Sequence, residues 1–242
     1  MRKHGECYIA DAILTTITSS RHGLLITLEG IESSGKSTHL SHIAAFLQQR
    51  GLKTLTTREP GGTPLAENIR TLLLHQHDHT AEPLTPEAEV LLFYAARAQH
   101  LRHLIQPNLA KGITVISDRF VDSSYAYQQA GRAIAKSRID ELTQWIIGDQ
   151  LPDITFIFDL PVAQAMQRMQ HKTLDRIERE HLDFHENVRQ AYLQRAAAHP
   201  ERCILIDASP SPDQVKRDLM QHLCQRLYRL LPAKISASHT DP

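Results

Sequence analysis

The stretch GIESSGKST (residues 30–38) lies between an apolar run and a segment with helical periodicity, and its reading decides the fold. Gly30, Gly35, Lys36 and Ser37 meet the spacing G-x-x-x-x-G-K-[S/T]. Glycines at these positions let backbone N–H groups turn inward around phosphate oxygens. A lysine reaches the terminal phosphates, and a small hydroxyl suits Mg²⁺. The pattern also recurs by chance, so its flanks decide. GLLITLEG (23–30) reads as a buried strand, and KSTHLSHIAAFLQQRG (36–51) as a helix, with Leu40, Ile43, Ala44 and Leu47 on one face and Gly51 as its stop. A strand–loop–helix unit aims a helix N-terminus at an anion. Gly30, Ile31, Glu32, Ser33, Ser34, Gly35, Lys36, Ser37 and Thr38 are therefore expected to cradle a nucleoside triphosphate.

Outward from this unit, strands and helices alternate. LKTLTTRE (52–59), ITVISD (113–118), DITFIFDL (153–160) and CILIDA (203–208) read as four further strands. Between and after them, LAENIRTLLLHQ (65–76), a long segment over 85–112, SRIDELTQWIIGDQ (137–150), PVAQAMQRMQHK (161–172), ENVRQAYLQRAAAHP (186–200) and a last segment over 211–231 read as helices. Pro161 suits a first helical turn, and Ser211 suits a cap. The alternation predicts an α/β fold with a five-stranded parallel sheet covered on both faces. Sites then belong at the carboxyl ends of the strands.

The 242 residues fit one domain, expected over residues 23–231. Lys plus Arg and Asp plus Glu both total 27, so there is no global basic field, which argues against a nucleic-acid partner. No stretch approaches the ~18 apolar residues of a membrane span. Cys7, Cys203 and Cys224 are far apart and read as free thiols in a reducing, cytoplasmic setting. Residues 1–22 make a poor signal peptide and are expected to be a flexible extension, and residues 232–242 a polar tail. HQHDH (75–79) is expected to be a solvated loop rather than a metal site.

Polar motifs follow the strands. TREPGG (57–62) brings Arg58 and Glu59 to a strand end and into a tight turn. Asp118 ends the third strand, well placed to share Mg²⁺ with Ser37, while the adjacent Arg119 suits a second phosphate. In order, GIESSGKST, TREPGGT, LLFYAARAQH, SDRF, SSYAYQQAGR and LDRIE closely resemble the thymidylate kinase family from about residue 23 to the last helix. The resemblance implies a P-loop kinase with a mobile lid, usually a homodimer, that transfers the ATP γ-phosphoryl group to dTMP with Mg²⁺. It implies that Lys36 and Ser37 hold ATP and Mg²⁺, that Arg58 and Arg119 clamp the acceptor phosphate, and that Glu32 faces the nucleotide sugar or its phosphate-bound waters. Phe93 and Arg97, four apart, read on spacing alone as a core ring with a snorkelling arginine. The resemblance assigns them instead to stacking on the pyrimidine and donating to its O4. It likewise sets Ser124 and Gln128 near the thymine edge and Tyr127 under the deoxyribose, where a ring leaves no room for a 2′-hydroxyl. A cis Glu59–Pro60 bond is expected on the same ground.

One segment departs from the family pattern. The phosphate-binding loop carries no arginine, so a transition-state cation must come from the lid, QRMQHKTLDRIERE (167–180). Lids of this bacterial type usually show an arginine pair followed by glycine; this one has Arg168, His171 and Lys172, no glycine, and is about one residue short. Arg176 is expected in the site and Arg168 to supply the charge on transfer, with Lys172 as a third candidate. D-x-x-G and N-K-x-D motifs in a switch-GTPase context are missing, which leaves one other class open: a nucleotide-binding module whose altered lid has lost turnover.

Overall fold

The computed structural model describes residues 23–74, 83–171 and 173–230. The expectations for residues 1–22, HQHDH, Lys172 and the tail lie outside the described residues. Five strands, β1 (Leu25–Glu29), β2 (Thr54–Arg58), β3 (Thr114–Asp118), β4 (Ile154–Asp159) and β5 (Cys203–Asp207), form one parallel sheet in the order β2-β3-β1-β4-β5. The central strand β1 is fully buried along its length, as a strand covered on both faces must be. Its register with β3 pairs Leu28 with Asp118, so the loop after β1 and the acid ending β3 emerge side by side.

Helices α1 (Lys36–Gln48), α2 (Pro64–Leu74), α3 (Pro86–His100), α4 (Val121–Ser124), α5 (Lys136–Ile146), α6 (Val162–Met169), α7 (Leu182–Ala198) and α8 (Pro212–Arg229) cover the sheet. One core packs Ile43 and Leu47 of α1, Val188 and Tyr192 of α7, and Leu219 and Leu223 of α8 against Ile26, Leu28, Phe156 and Phe158. A second packs Leu25 and Val115 against Leu101, Ile105, Phe120 and Ile139. Each such fully buried side chain contributes roughly 1.5–3 kcal/mol of burial free energy. Thr85 caps α3 by accepting from Ala88 N at 3.2 Å, and Ser211 caps α8 by accepting from Gln214 N at 3.4 Å, as expected for Ser211.

Several elements differ from the sequence reading. Helix α6 begins after Pro161, not with it. Helix α7 begins at Leu182 rather than residue 186: Leu182 is exposed, and the inward anchors of the first turn are Phe184, four before Val188 but set among polar residues, and His185. SSYAYQQAGR, which carries no clear periodicity, is helical: α4 runs into π-helical turns over Tyr125–Gly131. Wide π turns concentrate at functional sites because they re-aim side chains. A second wide stretch, Leu101–Ile105, continues α3 toward Pro107, whose missing N–H breaks the regular ladder.

Candidate active site

The loop from Gly30 to the start of α1 owes its path to Gly30. Its φ is +133°, and a Cβ there would sit 2.4 Å from Phe158 O. Lys36, buried on the first turn of α1, folds back to donate to Gly30 O at 3.0 Å and Ile31 O at 2.7 Å. Burial, and after it the nearby Arg119 charge, bring the Lys36 ammonium down to about 8. Ser37 Oγ donates to Asp118 Oδ2 at 2.7 Å on the exposed side of the loop. A hydroxyl and a carboxylate in contact are hard oxygen donors and fit a divalent cation such as Mg²⁺. Among the described residues, no group of three or more His, Cys, Asp or Glu is placed to hold a metal.

Arg119 follows Asp118 with φ +73°, an uncommon backbone state for arginine. Nη1 donates to Gly30 O at 2.9 Å and to Tyr192 OH at 3.0 Å. Nη2 donates to Glu32 Oε1 at 2.9 Å and to Tyr127 OH at 3.0 Å, and that phenol donates to the same carboxylate oxygen at 2.6 Å. Burial alone would raise the Glu32 carboxyl, but the charges of Arg119 and Lys36 outweigh it and hold the group below the usual range. Behind this layer, Glu29 accepts from Phe120 N, Ser123 Oγ and Tyr192 OH at 2.6–2.9 Å. Burial first, and then the Asp122 charge, push Glu29 up to about 7.

A cleft of about 290 Å³ runs from this loop toward α3. Its walls include Glu32, Lys36, Ser37, Arg58, Phe93, Arg97, Asp118, Arg119, Ser124, Tyr127 and Gln128, so the residues expected on the two sides of the reaction converge on one space. Arg97, 2% exposed, donates through Nε to Glu59 Oε2 at 2.7 Å, through Nη1 to Ser124 Oγ at 2.8 Å and through Nη2 to Phe120 O at 3.0 Å. Glu59 also contacts His100 Nδ1 at 3.0 Å, and the Glu59–Pro60 bond is cis, as expected. Gln128 donates to Glu89 Oε1 at 3.0 Å. Arg58 is half exposed and pairs with Glu67 at 2.8 Å.

The two lid arginines part company. Arg168 donates to Ser33 O and Ala208 O, both at 3.2 Å, against the phosphate-binding loop. Arg176 turns to α3, donating to Glu89 Oε2 at 2.7 Å and Leu73 O at 2.9 Å. Arg132 bridges Glu89 and Glu180, which ties the lid to the same buried acid.

The family model for thymidylate kinase matches residues 28–219. The chain belongs to the thymidylate kinase family. It is 50% identical over 198 residues to a thymidylate kinase of Pseudomonas putida, covering 81% of this chain and 93% of that protein. A thymidylate kinase of Nitrosomonas europaea is 48% identical over 197 residues, covering 81% and 90%. The crystal structure of thymidylate kinase from Ehrlichia chaffeensis superposes with a TM-score of 0.66 at 34% identity, over 84% of this chain and 99% of that one.

Relative to the sequence reading, the cleft of this thymidylate kinase family member gains Arg70, and the buried acid Glu89 stands behind its wall, held to Gln128. Arg70 lines the wall beside Arg58 and donates to Pro60 O at 3.0 Å. Glu89 is 1% exposed, although an acid in a first helical turn ordinarily faces solvent and serves the dipole. A signal did exist: Glu89, Phe93, Arg97 and His100 follow at steps of four, four and three, one stripe of α3.

Proposed function

We propose that the protein transfers the γ-phosphoryl group of ATP to dTMP, giving dTDP and ADP, on the route to dTTP. One observation carries the reading: Arg119, which this reading gives to the acceptor phosphate, touches the donor loop through Gly30 O and Glu32. Donor and acceptor phosphates would thus meet around a single guanidinium. Phosphoryl transfer depends on positioning and charge neutralisation, and the acceptor is already an oxyanion, so no general base is required.

In this reading the loop N–H groups and Lys36 bind the triphosphate, and Ser37 and Asp118 hold Mg²⁺, which would neutralise phosphate charge. Arg119, with Arg58 and Arg70 on the facing wall, holds the acceptor phosphate. Phe93 stacks on thymine, Arg97 donates to its O4, and Ser124 and Gln128 line its edge. The buried Tyr127 ring closes the space a 2′-hydroxyl would need. Arg168 supplies the lid charge, and Arg176 holds the lid to Glu89. We further propose a cytoplasmic homodimer with one catalytic domain over residues 23–231 and its lid over 167–180; no helix among the described residues is long and apolar enough to cross a membrane. Sedimentation equilibrium reads the dimer.

The deciding assay follows ADP release with ATP and Mg²⁺ against dTMP, dUMP, dCMP, dGMP and AMP. A strong response to dTMP alone supports the reading. Silence on all five, with ATP still bound, would instead support a binding module whose lid no longer assembles the site.

A further inference from the structure

His185, in the first turn of α7, is fully buried, and neither ring nitrogen has a hydrogen-bond partner among the described residues. Its Nδ1 lies 3.7 Å from Glu32 Oε2, just beyond hydrogen-bond reach, and that oxygen has no hydrogen-bond partner among them either. Buried polar atoms without partners are rare in folded proteins, and two facing each other call for a reason. The other Glu32 oxygen supplies it. Oε1 is held by Arg119 Nη2 and by Tyr127 OH, so the carboxylate is drawn toward the arginine and away from the imidazole. Arg119 Nη1 donates to Gly30 O, Tyr192 OH and Ser123 Oγ, whereas Nη2 holds Tyr127 OH and the Glu32 carboxylate, an anion whose place an incoming phosphate can take.

We propose that His185 is a positioning residue that takes over Glu32 when the acceptor phosphate claims Arg119: the Nδ1–H tautomer of His185 donates to Glu32 Oε2 as Nη2 turns to the phosphate. Without that replacement, acceptor binding would leave a largely buried carboxylate with the Tyr127 hydroxyl in place of an arginine pair, and the cost would fall on acceptor affinity. The arrangement gives the free site one hydrogen-bonded state and the acceptor-bound site another. It rests on the proposed function, because it requires a phosphate-bearing acceptor at Arg119.

The test compares the full chain with His185→Leu, which keeps bulk but no donor, and His185→Asn, whose amide nitrogen can occupy the place of Nδ1. Steady-state KM for dTMP and for ATP, kcat and the melting temperature of the free protein are read together. His185→Leu is expected to raise KM for dTMP at least about tenfold with KM for ATP unchanged. Its free form should melt no lower than the parent, since two unpartnered buried nitrogens are gone. His185→Asn should recover most of the lost affinity. A His185→Leu protein with parental KM for dTMP overturns the inference, as does one that loses ATP and dTMP affinity equally together with melting temperature, which is the mark of a packing role. A parent protein that turns over no dTMP overturns the functional reading itself, an outcome separate from either of these.

Discussion

Ser37 Oγ and Asp118 Oδ2 meet at 2.7 Å although 81 residues separate them in the chain. The parallel pairing of β1 with β3 produces the contact: Asp118 ends β3, and the loop leaving β1 beside it leads into the first turn of α1, where Ser37 lies. If this pair holds the cation that accompanies ATP, removing either oxygen weakens the metal before it weakens the nucleotide fold. Asp118→Ala should raise the Mg²⁺ concentration for half-maximal turnover by about 10–100-fold, and excess Mg²⁺ should restore part of the rate. EDTA should stop the parent enzyme, and added Mg²⁺ should restart it. A Mg²⁺ titration at fixed ATP reads this, and an unchanged midpoint would remove Asp118 from the metal site.

Lys36 is the only side-chain cation within the phosphate-binding loop, and burial brings it down to about 8. A lysine is cationic below its pKa, and a triphosphate binds the cationic form. KM for ATP should therefore be flat below pH 8 and rise as pH passes it. Bound triphosphate favours the ammonium again, so kcat should hold to higher pH than kcat/KM. Lys36→Arg should move the break beyond the alkaline range, and Lys36→Ala should abolish turnover. A KM for ATP indifferent to pH between 7 and 9.5 would contradict the assignment.

In the proposed function Phe93 would touch the acceptor side alone. It is half-buried on α3, and four residues on, Arg97 is fixed by Glu59, Ser124 and the Phe120 carbonyl. Phe93→Ala removes a stacking face worth about 1–3 kcal/mol by the behaviour of bases on aromatic rings. KM for dTMP should rise by at least about fivefold and KM for ATP by much less. Equal changes in both would sink the stacking role.

Gly62 has φ +84°, and a Cβ would lie 2.5 Å from His100 Cδ2 and 2.7 Å from Thr57 Oγ1. Gly62→Ala combines left-handed strain with overpacking and should cost about 2 kcal/mol or more. Urea unfolding should show a lower midpoint at an unchanged slope.

The sheet was legible because its strands are short apolar runs separated by helical periods, and that signal survives wherever a strand is buried on both faces. Periodicity fails where polar side chains are buried for the sake of the cleft. Ser123, Ser124 and Gln128 are all buried, so the helix carrying them shows no apolar stripe. The same inversion hid Glu89 and His185, each of which resembles an ordinary solvent-facing residue on a helix until the neighbouring element is in place. Phe93 and Arg97 were undecided on spacing, because a cleft wall and a core wall present the same four-residue step. Arg70 needed the tertiary fold: only the turn after β2 brings it beside Arg58.

The division of labour between the two lid arginines is open to a direct test. Arg168 touches the loop at Ser33 O and has no carboxylate partner among the described residues, so its charge would be available to phosphates if the lid closes. Arg176 spends its charge on Glu89, whose carboxylate also takes Arg132 and Gln128. Arg168→Ala should then lower kcat by about 10³ with modest changes in either KM, the behaviour of a cation that acts on transfer. Arg176→Ala should loosen the lid, raising KM for both substrates while kcat falls far less. Arg168→Lys should recover part of the rate, because a point charge replaces the fork incompletely. If Arg176→Ala carries the large loss in kcat and Arg168→Ala does not, the two roles are reversed, and the lid must rearrange on closure enough to break the Arg176–Glu89 pair.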